Sequence, residues 1–518
     1  MQNKRANHKG SIPWVLLCIA VDILSIGLIP LNLFVLYMPE RITIVFSFLI
    51  IAATVILWAK TIRCKMGKAV LSVINIIAML FTLLGAYCNP YWNNLLFRNS
   101  YCTTSKAYTE VISSQEAMAD LDYAMKYLEK CHPELRHGFT DEMRIVYEQT
   151  AEKILNSGSV TVNDLTADIE SIFSMLSDGH TAAICYPPND YYLREGYVRY
   201  LAGDIIVAVN GISIEDILQQ NKALYSYESE SYALTVLAYD LTTARGLDYL
   251  GMEIGDKIVY TYETVSGERT DFAFYPADFI THSEYVAYNR MNSGNNNTGG
   301  AGYDTFVHYS IDEENNLAML TLNSCIYNDE YIQCVKDMFT EVKNRNIQNV
   351  CVDLRWNIGG NSLVANEFIK YLDVDQYGDM GAKWRLGFFE ISSSNNVIKN
   401  EKYDKLTFSG NVYVLSSYST YSSAMAFVQY IKDNHLGTII GEPPGNAPNC
   451  GGEVAMFKCP NSGIVFQVST KYYQRIDKDS TDLLIQPDII CDKAEAVDKL
   501  MELLRRRHPC RAMVCLAS

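Results

Sequence analysis

Three long apolar runs near the N-terminus constrain the fold of this chain most strongly. They cover residues 13–37, 42–59 and 69–88. A helix of about 20 apolar residues crosses a hydrocarbon core of roughly 30 Å, so each run is long enough to be a span. The first run lacks a small-residue cleavage site, which favours a span over a cleaved signal peptide. The sequence therefore predicts a three-helix membrane anchor over residues 1–95, with the lipid bilayer as a partner.

Basic residues around the apolar runs predict how this anchor is oriented. They precede the first run and separate the second from the third: Lys4, Arg5 and Lys9, then Lys60, Arg63, Lys65 and Lys68. Positively charged loops stay in the cytoplasm, so we expect the N-terminus there and, after three crossings, the remaining chain outside the cell membrane. We interpret Asp22, within the first run, as a polar contact between helices. One acidic residue in three helices offers no evident transport pathway.

Charge and cysteine content exclude some function classes. The chain carries a formal net charge of −16, but residues 1–100 hold nine Lys/Arg and only two acids, so the balance beyond residue 100 is −23. Such a body repels nucleic acid and anionic lipid head groups, so we expect no nucleic-acid partner. The fourteen cysteines include no CxxC pair and no zinc-finger spacing. Cys450 and Cys459 could close a short loop in an oxidising compartment, but the cysteines do not settle the redox question.

Residues 105–185 have the pattern of a helical subdomain. The sequence from Ser113 to Glu116 fits a capping box, and Pro133 ends the helix that follows. The subdomain closes on His180, which lies beside Gly179 just past a helix. Such a histidine is well placed to enter a cleft, with Asp178 and Thr181 as groups that could orient its ring, although a lone histidine is more often structural.

The chain then changes from helical to β-rich and afterwards to alternating strands and helices. Residues 186–277 read as a compact β module around an Asn210-Gly211 turn. An Asn/Gly-rich stretch, 291–304, has the composition of a mobile loop. From Leu317 the pattern repeats β-α-β, which predicts an α/β core with parallel strands and right-handed crossovers, and we assign residues 278–495 to this core. Residues 496–518 form a C-terminal helix and tail.

Two features of the predicted core offer chemistry. Gly359 and Gly360 follow a strand, at the edge where open α/β sheets bind ligands, and could present N–H donors to an oxyanion or serve only a tight turn. Ser422 and Ser423 fall where a strand meets the next helix, at unpaired backbone N–H groups. They could be an activated nucleophile and its neighbour, or simply helix N-caps.

Together these segments resemble the S41 serine peptidases, the family of the C-terminal processing proteases and the tricorn core. The resemblance runs from about residue 120 to 490. Four segments carry it: Asp353–Gly360 resembles the family's DLRxNxGG motif, Ser422-Ser423-Ala424 with Gly441-Glu442-Pro443 its nucleophile segment, Pro487-Asp488-Ile489 its closing PDI signature, and Gly203–Gly211 part of its PDZ-like module.

The resemblance implies a membrane-anchored serine endopeptidase that acts on extracytoplasmic proteins or peptides without a metal or organic cofactor. It makes Ser422 the nucleophile and gives the oxyanion hole to the N–H of Ser423 with that of Gly359 or Gly360. Processing proteases of this family use a lysine base where this chain has Ala447. The resemblance therefore favours the tricorn-like branch, with His180 as the base in its DGHT segment.

The acidic partner of that histidine is less well marked. The family often has glutamate at this point, and the resemblance implies Asp482, with Asp479 behind it. Met425 replaces the usual glutamate after the nucleophile. These departures leave a non-catalytic binding or sensor protein on a peptidase scaffold as the alternative. A lipase or esterase is disfavoured because no GxSxG elbow surrounds these serines.

Overall fold

The structure is a computed structural model, and its N-terminal part is a bundle of three helices. It describes residues 12–31, 40–62, 65–89, 94–95, 106–185, 187, 190–264, 266–292 and 305–507. The helices are α1 (Ile12–Leu31), α2 (Glu40–Thr61) and α3 (Lys65–Cys88). The predicted basic N-terminus, most of the predicted loop at 291–304 and the tail after residue 507 lie outside the described residues.

Two of these helices, not the predicted three, are long and apolar enough to cross a membrane. They contain the stretches Ile42–Lys60 and Lys65–Cys88, whereas the apolar stretch of α1 is shorter, Pro13–Leu28. Ser25 and Ser47 exchange hydrogen bonds with each other's backbone carbonyls and so join α1 to α2. Asp22 is fully buried, but its carboxylate has no hydrogen-bond partner among the described residues. The polar contact expected of Asp22 is therefore made by the two serines.

A helical layer follows the bundle. It consists of β1 (Val111–Ser113), α4 (Ser114–Cys131), α5 (Asp141–Ser157), β2 (Ser159–Thr161) and α6 (Val162–Phe173), with short 3-10 helices at Pro133–His137 and Ser174–Leu176. The capping box at the start of α4 is present: Ser113 accepts from the N–H of Glu116, whose side chain accepts from the N–H of Ser113. The helix ends at Cys131, one residue before His132-Pro133. Local sequence therefore determines where α4 begins and ends.

A β-rich module with its own apolar core comes next. After β3 (Ala182–Ile184), which pairs with a strand outside this module, its elements are β4 (Tyr191–Leu193), α7 (Gly196–Ala202), β5 (Ile205–Val209), β6 (Ile212–Ser213), α8 (Ile214–Gln220), α9 (Glu230–Asp240), α10 (Ala244–Tyr249), β7 (Ile258–Glu263), β8 (Arg269–Phe274), β9 (Phe279–Thr281) and α11 (His282–Asn292). Four strands form an antiparallel sheet in the order β6-β5-β7-β8. Asn210 and Gly211 both have positive φ, which suits the two-residue hairpin turn between β5 and β6.

The rest of the described chain builds two larger sheets. Its elements are β10 (Val307–Asp312), β11 (Leu317–Leu322), α12 (Asp329–Asn344), β12 (Asn349–Asp353), α13 (Leu363–Ile369), β13 (Gln376–Gly378), β14 (Gly381–Leu386), β15 (Phe389–Ser393), β16 (Val397–Lys399), β17 (Asn411–Ser416), α14 (Ser423–Asp433), β18 (Thr438–Gly441), β19 (Cys450–Lys458), β20 (Val465–Gln474), β21 (Ile489–Ile490) and α15 (Ala496–Arg507).

The larger sheet has six strands in the order β10-β11-β12-β17-β18-β21. Neighbours from β11 onwards are parallel, and β10 pairs antiparallel with β11. Strands β12 and β17 are central, and both are almost wholly buried. Parallel strands end at the same edge, so the segments after β12 and β17 lie side by side. The predicted α/β core with parallel strands is confirmed.

The second sheet joins the helical layer to the core. It is antiparallel in the order β15-β14-β20-β19, and β3 pairs with the N-terminal part of β20, residues 465–467. Its aromatic residues Phe457 and Phe466 pack with Tyr127 of α4 and Phe173 of α6. Cys450 and Cys459 are both free and buried. They lie at opposite ends of the nine-residue strand β19, roughly 30 Å apart, so the disulfide considered from the sequence cannot form.

Asp120 of α4 fastens the helical layer to this second sheet. It is fully buried, and its carboxylate accepts from the N–H of Ser462 at 2.6 Å and from the N–H and side-chain amide of Asn461 at 3.1 and 2.9 Å. Replacing Asp120 by Ala leaves buried donors unpaired, and we expect the free energy of unfolding to fall by about 2–4 kcal/mol. Guanidinium unfolding of the full chain in detergent measures this.

The matched control is Asp122→Ala on the same helix. Asp122 is exposed and accepts one bond, from the Tyr147 hydroxyl at 2.6 Å. We expect this substitution to change the free energy of unfolding by less than about 1 kcal/mol. Equal effects of the two substitutions would contradict the role given to Asp120.

Candidate active site

Ser422 lies at the start of α14 in a backbone conformation that serine rarely adopts. Its φ is 55° and its ψ is −122°, and its side chain makes no capping hydrogen bond. Ser113 and Thr140, which cap α4 and α5, behave differently: both have φ of −66° and both accept from a helix N–H. A non-glycine residue at such angles costs of order 1–3 kcal/mol. The N-cap alternative therefore fails for Ser422, whose hydroxyl is left free of the helix end.

Gly359 packs directly against Ser422. A Cβ at Gly359 would lie 2.7 Å from the Ser422 Cβ and 2.9 Å from the Tyr421 carbonyl oxygen, and its φ is +109°. No other residue fits at this point. The loop after β12 and the loop after β17 are held together here, because the N–H of Tyr421 donates to the Asn357 carbonyl at 2.9 Å and the Thr420 hydroxyl donates to that of Leu354 at 2.8 Å.

The backbone amides around Ser422 divide into engaged and available groups. The N–H of Gly359 donates to the side-chain oxygen of Asn357 at 2.8 Å, and the N–H of Ser422 donates to that of Asn446 at 2.7 Å. Ser423 is the first residue of α14, so its N–H has no acceptor within the helix. Of the two glycine amides predicted for an oxyanion hole, that of Gly359 is therefore already in use, which leaves Gly360 beside Ser423.

His180 lies in a buried turn that follows the helical layer. The carboxylate of Asp178 organises this turn: it accepts from the N–H of His180 at 3.0 Å, the Thr181 hydroxyl at 2.7 Å and the ring of His132 at 3.1 Å. Burial would raise the pKa of Asp178, but the hydrogen bonds that it accepts, first of all that from the His132 ring, hold it well below its usual range. Asp178 is therefore ionised at neutral pH.

Burial lowers the pKa of His180, and the Asp178 charge opposes that effect only in part. The ring is therefore neutral at pH 7, the form that a general base needs. Its Nδ1 lies 4.0 Å from an Asp178 oxygen and 3.5 Å from the Tyr421 hydroxyl. Its Nε2 is buried and has no hydrogen-bond partner among the described residues.

Tyr421 connects the two predicted catalytic residues. It precedes Ser422 in the chain, and its ring lies 4.8 Å from that of His180 and stacks at 4.1 Å on Tyr232 of α9. Gly179 has no side chain where the phenol passes: a Cβ there would lie 2.3 Å from the Tyr421 hydroxyl. The structure thus brings His180 to the residue next to Ser422, but the imidazole does not hydrogen-bond to the Ser422 hydroxyl.

Two carboxylates lie beside His180, and neither is Asp482. Asp482 is exposed in the segment after β20, where its N–H donates to the Ser480 hydroxyl. Glu228, just ahead of α9, instead reaches His180 and Asp178, with one ligand-type atom from each of the three within 4.8 Å of the others. Burial, followed by the charge of Asp178, raises the pKa of Glu228 to about 8.

Four residues that shape this site were not predicted from the sequence: Asn357, Asn446, His132 and Glu228. Asn357 is part of the segment that resembles the DLRxNxGG motif, so the motif could have identified it. Asn446 directly precedes Ala447, the position at which the processing proteases of this family have their lysine base. His132 and Glu228 come from other segments of the chain, and no local pattern connects them with His180.

Residues 316–491 match the model of peptidase family S41. This segment is about a third of the chain, and over it the chain is similar to that family. S41 peptidases are serine-type peptidases, so the match supports a serine-type peptidase. The matched segment contains β11, β12, β17 and α14, hence both Gly359 and Ser422. No curated protein matches the chain.

Solved structures support the same fold beyond the segment that matches the S41 family. Mature CPAF complexed with lactacystin is 13% identical, with a TM-score of 0.52 over 78% of this chain and 98% of that one. A CPAF point mutant is 12% identical, with a TM-score of 0.55 over 76% and 97%. The tricorn protease is 13% identical over 76% of this chain and 37% of its own, with a TM-score of 0.33. That score is too low to support the tricorn-like branch.

Proposed function

We propose that this chain is a membrane-anchored serine endopeptidase that hydrolyses peptide bonds of extracytoplasmic proteins or peptides through an acyl-enzyme on Ser422. One observation carries the proposal: Ser422 stands in a strained backbone at the N-terminus of α14, uncapped, against a glycine that leaves no room for a side chain. Strain of this kind collects at functional sites. The similarity to S41 peptidases supplies the matching chemistry.

The proposed mechanism assigns one task to each group. His180 takes the Ser422 proton, Ser422 attacks the scissile carbonyl, and the amides of Ser423 and Gly360 stabilise the oxyanion. His180 then protonates the leaving amine, and water hydrolyses the acyl-enzyme. We give the orienting role to Asp178 rather than to Asp482, because Asp178 is the ionised carboxylate near Nδ1. The mechanism requires the His180 ring to come within hydrogen-bond reach of the Ser422 hydroxyl, past the Tyr421 phenol.

A non-catalytic binding or sensor protein is the second candidate. Two observations favour it: Nε2 of His180 has no partner among the described residues, and Met425 stands where the family usually has glutamate. In this case the module of β5–β8 and α8–α10, which we propose to be PDZ-like, would capture a peptide without cleavage. Labelling of the serine distinguishes the two candidates.

A fluorophosphonate probe tests the nucleophile. We expect the full chain in detergent to be labelled once, and Ser422→Ala to abolish both labelling and cleavage of an unfolded protein substrate, because no other hydroxyl is positioned by the strained turn. Ser423→Ala should keep its label, since it retains the backbone amide and the nucleophile. Labelling that survives in Ser422→Ala, or that is absent from the unmodified chain, would remove Ser422 from the mechanism.

The pH dependence tests the base. His180 must be neutral to accept the proton, so kcat/KM should be constant at neutral pH and fall as the pH drops through the His180 pKa. Because burial places this pKa below its ordinary value of 6.5, the acid limb should lie below pH 6.5. Asp178→Asn removes a charge that raises the pKa, and the limb should move to lower pH. An acid limb above pH 6.5 would contradict the assignment.

Membrane anchoring with the peptidase outside is the remaining part of the proposal. α2 and α3 contain the two candidate spans, and the third crossing that we propose is α1, which is 20 residues or about 30 Å long although its described apolar stretch is shorter. Three crossings would separate a cytoplasmic N-terminus from the peptidase. We expect alkaline carbonate to leave the chain in the membrane, and added protease to digest residues beyond 105 in right-side-out vesicles but not in inverted ones. The reverse pattern would mean that the peptidase faces the cytoplasm.

A further inference from the structure

Glu228 belongs to a buried cluster with more acceptor atoms than donors. Both of its carboxylate oxygens are buried and have no hydrogen-bond partner among the described residues, and the same holds for Nε2 of His180. His180 itself is 7% exposed. Asp178 adds a second carboxylate, so two acids and a neutral imidazole meet within 4.8 Å. Buried groups of this kind need a proton or a cation to neutralise them.

A cavity reaches two of the three residues of this cluster, Asp178 and Glu228, whereas His180 does not line it. It has a volume of about 150 Å³, and five residues with metal-binding side chains contribute to its wall together with the cationic Lys471: His132, Glu134, Asp178, Glu228 and Cys450. The volume exceeds that of a single water molecule several-fold, so a hydrated ion can enter. Glu134 also lines the cavity but is exposed, and it does not belong to the cluster.

We propose that Asp178, His180 and Glu228 bind a divalent transition-metal ion of the Zn²⁺ type, which inhibits the peptidase reversibly. One imidazole and two carboxylates are a ligand set that Zn²⁺ accepts, with a fourth position left for water. At metal–ligand distances of about 2.0–2.2 Å the ligand atoms of a tetrahedral site lie roughly 3.3–3.6 Å apart. Side-chain rotations that close the present spacing by about 1 Å complete such a site.

The neighbours of the cluster have the arrangement of outer-shell groups in metal sites. Nδ1 of His132 accepts from the N–H of Glu134 at 3.3 Å, so its Nε2 carries the proton and donates to Asp178. The Thr181 hydroxyl donates to the same carboxylate. Such bonds fix the orientation of a ligating carboxylate and typically contribute 10–100-fold to metal affinity. Thus Asp178 is already positioned before an ion arrives.

The inhibitory consequence rests on the proposed function, whereas binding of the ion does not. A metal bound to either ring nitrogen of His180 prevents the ring from taking the Ser422 proton, because it either occupies the Nε2 lone pair or, when bound at Nδ1, leaves the ring proton on Nε2; nucleophile activation stops while the metal is present. Removal of the ion by a chelator restores the neutral imidazole. The site would therefore couple proteolysis to the free concentration of transition metal on the side of the membrane where the peptidase lies.

A Co²⁺ titration of the full chain in detergent, after chelator treatment, tests the site. Co²⁺ substitutes for Zn²⁺ and gives a visible absorption band when its coordination number is low. We expect one equivalent to bind, competition by Zn²⁺, and an affinity at least about 30-fold weaker in Glu228→Gln. Glu134→Gln, which removes an acid from the same cavity wall, should bind within about 3-fold of the unmodified chain. Equal affinity in the two variants, or no saturable binding, would overturn the proposal.

Two further measurements keep this result separate from folding and from catalysis. The metal-free thermal unfolding of Glu228→Gln should match that of the unmodified chain, because the replaced oxygens have no partner to lose. If it does not, X-ray absorption of the Zn²⁺-loaded unmodified chain decides: a shell of nitrogen and oxygen with one imidazole supports the site, and a sulfur-dominated shell refutes it. Ser422→Ala should bind Co²⁺ unchanged, so binding can be established even if Ser422 proves not to be the nucleophile.

Discussion

The buried carboxylate of Asp178 is the interaction on which the catalytic region depends. It joins the end of α4, through His132, to the turn that carries His180 and Thr181. The Thr181 hydroxyl in turn accepts from the N–H of Ser469 on β20 at 3.0 Å. Gly451 of β19 completes the enclosure, since a Cβ there would lie 2.4 Å from both Asp178 oxygens. One acid therefore sets the relative positions of the helical layer, the second sheet and the imidazole.

The sequence was informative where local chemistry decides the structure. The capping box at Ser113, the end of α4 before Pro133, and the parallel strands of the core follow from residue preferences within a few positions. Parallel strands ending at one edge also explain why Gly359 and Ser422, which are 63 residues apart in sequence, could be expected side by side. These are the features for which burial periodicity and turn chemistry agree.

The sequence was less informative where distant segments meet. Whether Ser422 caps the helix or is strained depends on the sign of its φ, which Gly359 and Asn446 determine through contacts rather than through spacing. The sequence alone does not show that the Gly359 N–H already donates to the Asn357 side chain and is therefore unavailable to an oxyanion. Glu228 comes from a different module than His180, and Asp482, nearer to the family's pattern, lies exposed. The structure has two candidate spans among the described residues rather than the predicted three, because the described apolar part of α1 is shorter than the apolar run 13–37.

Contacts near the end of α3 show how the anchor meets the peptidase. Cys88, the last residue of α3, lies so close to Gly387 that a Cβ on that glycine would be 2.6 Å from its sulfur. A few residues on, Asn94 accepts from the N–H of Met456 in β19 at 2.9 Å. The chain that leaves the helix bundle thus contacts the second sheet at Gly387 and is hydrogen-bonded to it at Met456. The position of the peptidase relative to the helix bundle is therefore set by contacts of the folded chain and not only by the linker between them.

The strained backbone at Ser422 has a consequence for attempts to engineer this chain. Relaxing φ at this position, or substituting glycine, would recover part of the roughly 1–3 kcal/mol that such a conformation costs. A selection for thermostability alone would therefore favour variants in which the turn has been repaired and the hydroxyl lost or redirected. Stability and chemistry are opposed at this residue, so a stabilisation campaign should hold residues 357–360 and 421–423 fixed and look for its gains elsewhere.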